Sequence, residues 1–174
     1  MSKKNRFDFL KVGLLLAITA LSSLPLTTAF AKDIGPETGL PLPRFVSLKS
    51  NEINMRRGPG LQYPIDWVYR RKHLPIEVIA EFENWRKLKD WEGEVGWVYH
   101  SLISGRRTVR VMEETTALRD KADANSEAIA WLEPGVLGLI ESCTRSWCLV
   151  NVEGHRGYLS TQKIYGRYPD EVID

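Results

Sequence analysis

An internal duplication constrains the fold of this chain more than any other feature. Residues 54–103 recur at residues 117–164, and within them residues 154–159 repeat residues 93–98. Sequence repeats of this kind mark a structural unit that is used more than once. A unit of about 60 residues buries only about 60% of the surface of its unfolded chain and is marginally stable alone, so packing the two copies against each other would stabilise both.

Each copy shows the pattern of short strands separated by turns. The strand-like segments are residues 67–69, 76–79, 85–89 and 96–99 in the first copy and residues 128–132, 136–141, 147–152 and 157–159 in the second. No helical period of useful length interrupts them. Many short strands at close spacing are typical of small barrels and sandwiches. The predicted fold class is therefore all-β, with two small units in tandem.

The N-terminal segment has the pattern of a secretory signal. Basic residues precede an uncharged apolar run at residues 12–26, and Ala29-Phe30-Ala31 forms a small-x-small cleavage site. This order predicts a cleaved signal peptide at residues 1–31 and export across the inner membrane, to the periplasm. The alternative is an uncleaved membrane anchor, although the apolar run is shorter than the roughly 20 residues that span a bilayer.

Net charge gives no support for nucleic-acid binding. The chain has 24 Lys and Arg against 22 Asp and Glu, but residues 1–31 hold four of the basic residues and one of the acidic ones. Residues 32–174 therefore carry a small negative net charge. A nucleic-acid-binding surface would need a basic excess.

Composition and the repeat together divide the chain into five segments. Residues 32–43 are rich in glycine and proline and predict a flexible or extended leader. The polar tail is expected to fray after Pro169. The predicted boundaries are 1–31 for the signal peptide, 32–43 for the leader, 44–105 for the first domain, 106–168 for the second domain and 169–174 for the tail.

Both cysteines, Cys143 and Cys148, lie in the second copy. A two-residue turn at 145–146 would place them opposite each other, at a non-hydrogen-bonded pair of a hairpin where a bridge fits. In an oxidising compartment this predicts a structural disulfide rather than a reactive thiol pair or a metal site. The equivalent positions of the first copy are Glu81 and Arg86, which predict an ion pair.

Three motifs, in order, resemble the bacterial SH3-like (SH3b) family. They are Asn54-Met55-Arg56-x-Gly58-Pro59-Gly60, Trp85-x-Lys87-Leu88 and Gly93-x-x-Gly96-Trp97-Val98. The second copy lacks the Gly-Pro-Gly turn and has residues 120–123 there. The resemblance covers residues 40–168 and extends to secreted double-SH3 proteins of unassigned role in Gram-negative bacteria. It implies two tandem SH3-like barrels that bind rather than catalyse. In cell-wall enzymes such modules often bind peptidoglycan peptides.

The candidate ligand-binding residues lie in the first copy. Strand alternation places Trp85 on one face with Lys87 and Lys89, where a partly exposed indole could stack on a peptide or sugar. The alternative is that Trp85 packs against the other domain or the barrel rim, whereas Leu88 and Val150 suit the core. We expect an aromatic-lined groove formed by Tyr69, Trp85, Trp97 and Tyr99, with Arg56 and Arg57 at its rim.

Several of these features have a second, structural interpretation. Trp97 and its counterpart Tyr158 could instead belong to the barrel cores, and the two arginines could be solvated side chains beside a tight turn. The basic runs at residues 70–73 and 106–107 could contact an anionic polymer or lipid headgroups, or be solvated loops.

Catalytic and metal chemistry find little support in the sequence. The three histidines do not pair at ligand spacing, and a zinc site needs three or four ligands. We therefore expect no enzyme activity, no cofactor, no metal and no nucleic acid. The partner expected is a peptidoglycan peptide or a periplasmic protein segment, with membrane contact only through a retained signal. The alternative function is a scaffold of the cell envelope whose two barrels pack as one rigid unit.

Overall fold

The computed structural model describes residues 33–112 and 114–174, so the predicted signal peptide lies outside the described residues. The first barrel is formed by β3 (Arg44–Leu48), β4 (Ile53–Arg56), β5 (Ile65–Tyr69), β6 (Pro75–Phe82), β7 (Trp85–Lys89), β8 (Val95–Tyr99) and β9 (Ile103–Ser104), after a short hairpin of β1 (Asp33–Ile34) and β2 (Pro41–Leu42). A 3₁₀ turn at His100–Leu102 precedes β9.

The second barrel repeats the first, strand for strand. It is formed by β10 (Thr108–Val111), β11 (Thr116–Arg119), β12 (Ala128–Leu132), β13 (Leu137–Cys143), β14 (Trp147–Val152), β15 (His155–Ser160) and β16 (Ile164–Tyr165), with a 3₁₀ turn at Thr161–Lys163. The strand order is β5-β4-β8-β7-β6-β3-β9 in one sheet and β12-β11-β15-β14-β13-β10-β16 in the other. The prediction of an all-β fold with two tandem units is confirmed.

Each barrel has its own apolar core. Leu88 and Val150 are fully buried, as their positions in the strand pattern predict. Trp97 and Tyr158 are only half-buried, so the prediction that they fill the cores is wrong. Gly96 points inward instead, because a Cβ there would lie 2.5 Å from the Met55 side chain. Strand alternation then turns the next residue outward and the one after it, Val98, into the core.

The disulfide between Cys143 and Cys148 is present, with an S–S distance of 1.96 Å and Cα atoms 4.1 Å apart. The two residues lie opposite each other in the β13–β14 hairpin, as predicted. Both are buried in the second core. The closed loop is short, so the bridge contributes about 2 kcal/mol through the entropy of the unfolded chain.

A buried ion pair occupies the equivalent position of the first barrel. Glu81 lies opposite Arg86, with 3.5 Å between Nε and Oε1, so the predicted pair is confirmed. Arg44 adds a second cation, 2.7 Å from the same oxygen. Because a buried carboxylate is costly without donors, its other oxygen also accepts hydrogen bonds, from the backbone N–H groups of Glu37 and Thr38, at 3.0 Å each.

These donors come from the leader, which the sequence predicts to be flexible or extended. The structure instead shows a β1–β2 hairpin that closes over Glu81, and the Thr38 hydroxyl donates to Oε1 at 2.7 Å. Burial by itself would raise the pKa of Glu81, but hydrogen bonds from Thr38, Arg44 and the backbone outweigh it and hold this pKa at about 2. The carboxylate therefore stays charged and anchors the leader.

The two barrels are packed together through aromatic rings. Tyr165 and Tyr168 of the second barrel contact Phe45 of the first, with ring centroids 5.1 Å and 4.8 Å apart. The Arg110 guanidinium lies 4.6 Å from the centre of the Trp91 ring. Such contacts combine apolar burial with cation–π attraction. The described residues fall in one compact unit.

The C-terminal tail is paired rather than frayed. Ile173 exchanges two backbone hydrogen bonds with Cys143, at 2.7 Å and 3.0 Å. Glu171 forms a bidentate pair with Arg107 in the connection between the barrels, at 2.8 Å and 2.9 Å. The tail therefore fixes the barrel connection, which differs from the fraying that its polar composition predicts.

Candidate functional site

Among the predicted groove residues of the first barrel, Trp85, Trp97, Tyr99 and Arg56 share one outer face by strand register, whereas Tyr69 lies inside the barrel. Tyr69 points into the core and is 3% exposed, and its hydroxyl donates to Asp90 at 2.9 Å. Burial, together with the Asp90 carboxylate, raises the pKa of Tyr69. This ring is therefore part of the barrel interior and offers little surface to a ligand.

Trp85 is also covered. It shares the outer face of its strand with Lys87, as predicted, but it is only 9% exposed. Tyr99 lies directly opposite on β8 and packs edge-on against the indole, with centroids 5.6 Å apart. The expectation of a partly exposed Trp85 is therefore wrong, because its cross-strand neighbour is large.

The arginines of the first turn hold the turn itself. Arg56 donates to the carbonyl oxygens of Leu61 and Tyr63, at 3.2 Å and 2.7 Å. Arg57 pairs with Asp66 at 2.9 Å on the surface. Trp97 faces outward near them, opposite Arg56 and 6.0 Å from the Lys87 ammonium. A binding role for these six residues stays a prediction.

An open groove lies at the equivalent place in the second barrel. Trp147 takes the position of Trp85, but its partner across the strands is Ser160 where the first barrel has Tyr99. The small side chain leaves a groove of about 290 Å³. It is lined by Thr115, Thr116, Ala117, Arg119, Ala124, Trp131, Trp147, Ser160 and Lys163.

Two tryptophans give this groove its apolar character. Trp131 lies on β12 opposite Ala117 and is 68% exposed. Trp147 begins β14, after a turn closed by a backbone hydrogen bond from Thr144 to Trp147 at 2.8 Å. Trp147 is half-buried, whereas exposed indoles such as that of Trp131 are enriched where proteins bind ligands. Neither Trp131 nor Ser160 is among the binding residues that the sequence predicts, although the repeat sets Ser160 against Tyr99.

Two cations border the groove. The Arg119 guanidinium donates to the Ser126 carbonyl oxygen, which fixes it beside the loop that replaces the Gly-Pro-Gly turn. Lys163 pairs with Glu114 on the surface, and exposed pairs of this kind are weak and easily exchanged. The groove can therefore combine stacking on an indole with attraction for a carboxylate.

Among the described residues, no three His, Cys, Asp or Glu side chains come together as a metal site would require. In the same part of the chain, no helix is long and apolar enough to cross a membrane.

Comparison with known proteins identifies the family. The family model of the bacterial SH3 domain matches the sequence twice, at residues 49–105 and 112–166. The chain therefore belongs to the bacterial SH3 domain family and carries two copies of the domain in tandem. No curated protein matches the chain in sequence.

Two solved structures from Trichomonas vaginalis show weak similarity. The structure of NlpC2 is 10% identical, with a TM-score of 0.34 over 72% of this chain and 49% of its own. The structure of NlpC1 is 8% identical, with a TM-score of 0.33 over 77% of this chain and 49% of its own. This chain thus matches about half the length of each. At such TM-scores neither similarity says anything about function.

Proposed function

We propose that this chain is a non-catalytic binding protein of the bacterial cell envelope. In this proposal it is exported to the periplasm and holds a peptidoglycan peptide in the groove of the second barrel. The observation that carries the proposal is the open position of Trp131 and Trp147 around one groove. The bacterial SH3 family supports it, since the resemblance implies modules that bind wall peptides.

The groove has the chemistry that such a peptide requires. Its volume of about 290 Å³ is near the lower end of ligand pockets and suits a short extended segment. The indoles can stack on peptide planes or on a sugar ring, while Arg119 and Lys163 can attract carboxylates. A periplasmic protein segment with similar groups is the alternative ligand.

A second candidate function is an envelope scaffold. The observation that favours it is the packing of the two barrels, in which Tyr168 also donates to Glu77 at 2.8 Å. A rigid pair of barrels suits a structural subunit, but rigidity also pre-organises a binding surface. Binding to the wall therefore decides between the two functions.

Trp131→Ala is expected to weaken the binding of the purified protein to peptidoglycan sacculi by at least about tenfold, because truncating an exposed tryptophan anchor costs about 2 kcal/mol. The measurement is the fraction of protein that sediments with purified sacculi across a concentration series. Trp67→Ala is the matched control, because Trp67 is 44% exposed in the first barrel.

The wall-binding proposal is supported if the unaltered protein and Trp67→Ala sediment with the sacculi and Trp131→Ala does not. If the unaltered protein stays in the supernatant at all concentrations, wall binding is wrong and the scaffold function is favoured. If Trp131→Ala and Trp67→Ala lose binding to sacculi equally, the binding site does not lie in the second barrel.

A further inference from the structure

A cleft between the barrels brings the two basic runs of the sequence together. Arg71, Lys72 and His73 come from the loop before β6, and Arg106 comes from the connection between the barrels. They line a cavity of about 400 Å³. This cleft shares no lining residue with the groove of the second barrel.

The loop that carries these side chains is fixed by both barrels. His73 has a left-handed backbone with φ of 65°, and its N–H donates to the Leu48 carbonyl oxygen at 2.8 Å. Its own carbonyl oxygen accepts from the Thr108 hydroxyl of the second barrel at 2.9 Å. Arg71 donates to the Gly135 carbonyl oxygen, also at 2.9 Å. The cleft is therefore pre-organised, which lowers the entropic cost of binding.

The cleft carries an excess of positive charge. Arg71, Lys72 and Arg106 face a single carboxylate, that of Glu153. Within residues 33–112 and 114–174, neither the Lys72 ammonium nor the Arg106 guanidinium forms an ion pair. Burial, with the charges of Lys72 and Arg106 nearby, lowers the pKa of His73. Three cations that face a single carboxylate leave an excess of positive charge, which favours an anionic ligand.

The remaining lining is apolar or amide in character. Leu137 and Leu139 come from β13, and Asn51 and Asn151 supply amide groups. A concave cavity with this mixture fits a peptide end better than a flat lipid surface. Cations can hold the terminal carboxylate, amides can bond the peptide groups and leucines can contact the last side chain.

We infer that this cleft between the barrels binds the carboxylate-bearing end of a peptide, with Lys72 and Arg106 holding the carboxylate. Leu139, which is 36% exposed, contacts the terminal side chain. The inference stands apart from the proposed function, because the cleft and the groove are built from different residues.

Calorimetric titration of the purified protein with acetyl-Ala-Leu tests this inference. The peptide with a free C-terminal carboxylate is expected to bind at least about tenfold more tightly than its C-terminal amide, because the amide removes the charge. The double variant Lys72→Ala/Arg106→Ala is expected to weaken binding of the acid by a similar factor. Both side chains are exposed, so the fold is retained.

The matched control is Arg70→Ala/Lys121→Ala, which removes two exposed cations outside the cleft. Its affinity for acetyl-Ala-Leu should stay within about twofold of that of the unaltered protein, because charges away from the cleft are screened. Trp131→Ala should also leave it unchanged, which separates this site from the groove. The His73 ring signals in the NMR spectrum should move with the acid, while those of His100 and His155 stay in place.

Equal affinity for the acid and the amide would overturn the inference. So would an unchanged affinity in Lys72→Ala/Arg106→Ala, or an equal loss in the control variant. Inorganic phosphate serves as a competitor: binding of phosphate without any binding of the peptide would also contradict a peptide site and would indicate a site for phosphate groups.

Discussion

Glu81→Gln is expected to lower the free energy of unfolding by about 3 kcal/mol, because removing one partner from a buried ion pair leaves the others uncompensated. The Glu81 side chain is fully buried and contacts Arg44 and Arg86, whose side chains are 15% and 8% exposed. Glutamine keeps the size of the side chain but not its charge. The leader hairpin should then be held less firmly against the first barrel, since one amide oxygen replaces the two carboxylate oxygens that accept from its donors.

The same carboxylate gives the stability a defined pH dependence. The folded pKa of Glu81 is about 2, below its ordinary value. A depressed pKa means that the stabilisation is fully present above the unfolded value, at about pH 5 and higher, and is lost as the pH falls towards the folded value. Between about pH 5 and pH 2 the free energy of unfolding of the unaltered protein should fall by about 3 kcal/mol. Glu81→Gln lacks this contribution at every pH, so it should not show the same fall.

Urea denaturation of both proteins at pH 7 and at pH 2.5 measures this difference. Glu141→Gln is the matched control, because Glu141 pairs with Arg156 at the surface of the second barrel and such pairs contribute less than about 1 kcal/mol. If Glu81→Gln and Glu141→Gln have equal effects at pH 7, the buried carboxylate does not hold the leader in place.

Ser160→Tyr is expected to abolish binding in the groove of the second barrel while leaving its fold intact. In the first barrel the equivalent Tyr99 packs edge-on against Trp85 and covers it. A tyrosine at position 160 should cover Trp147 in the same way, because Ser160 lies directly opposite Trp147. Both positions face outward, so the cost in stability should stay within about 1 kcal/mol.

The loss in affinity for sacculi should match or exceed that of Trp131→Ala, since the larger ring removes the cavity itself. Ser160→Thr is the matched control: it adds one methyl group and should retain most of the binding. Folding is checked by the thermal midpoint of each variant. Unchanged retention of a folded Ser160→Tyr protein on sacculi would exclude this groove as the wall-binding site.

Local patterns in the sequence predict much of the fold. The duplication gives two equivalent units, and counting outward from a two-residue turn pairs Cys143 with Cys148 and Glu81 with Arg86. These predictions succeed because hairpin register depends on residues that are close in sequence. The error at Trp97 has a local cause too, since an inward-facing Gly96 turns the next residue outward.

The site depends on contacts that the sequence pattern does not contain. Strand alternation predicts which face of the sheet Trp85 lies on. It does not predict how exposed the indole is, because that depends on the partner strand and on the size of Tyr99. The leader and the tail are ordered by partners far along the chain, as when Thr38 reaches Glu81. The meeting of the two basic runs requires the barrels to dock. Contacts between residues far apart in the chain produce no periodic pattern in the sequence.

Titration of isotopically labelled protein with soluble disaccharide-peptides released from peptidoglycan tests the proposed groove directly. The six tryptophan indole N–H signals report each candidate surface separately in the NMR spectrum. If the groove of the second barrel binds these ligands, the Trp131 and Trp147 signals shift saturably and the signals of Trp67, Trp85 and Trp97 stay unchanged. Shifts confined to the first barrel, or no shift at any indole at saturating ligand, would contradict binding in this groove.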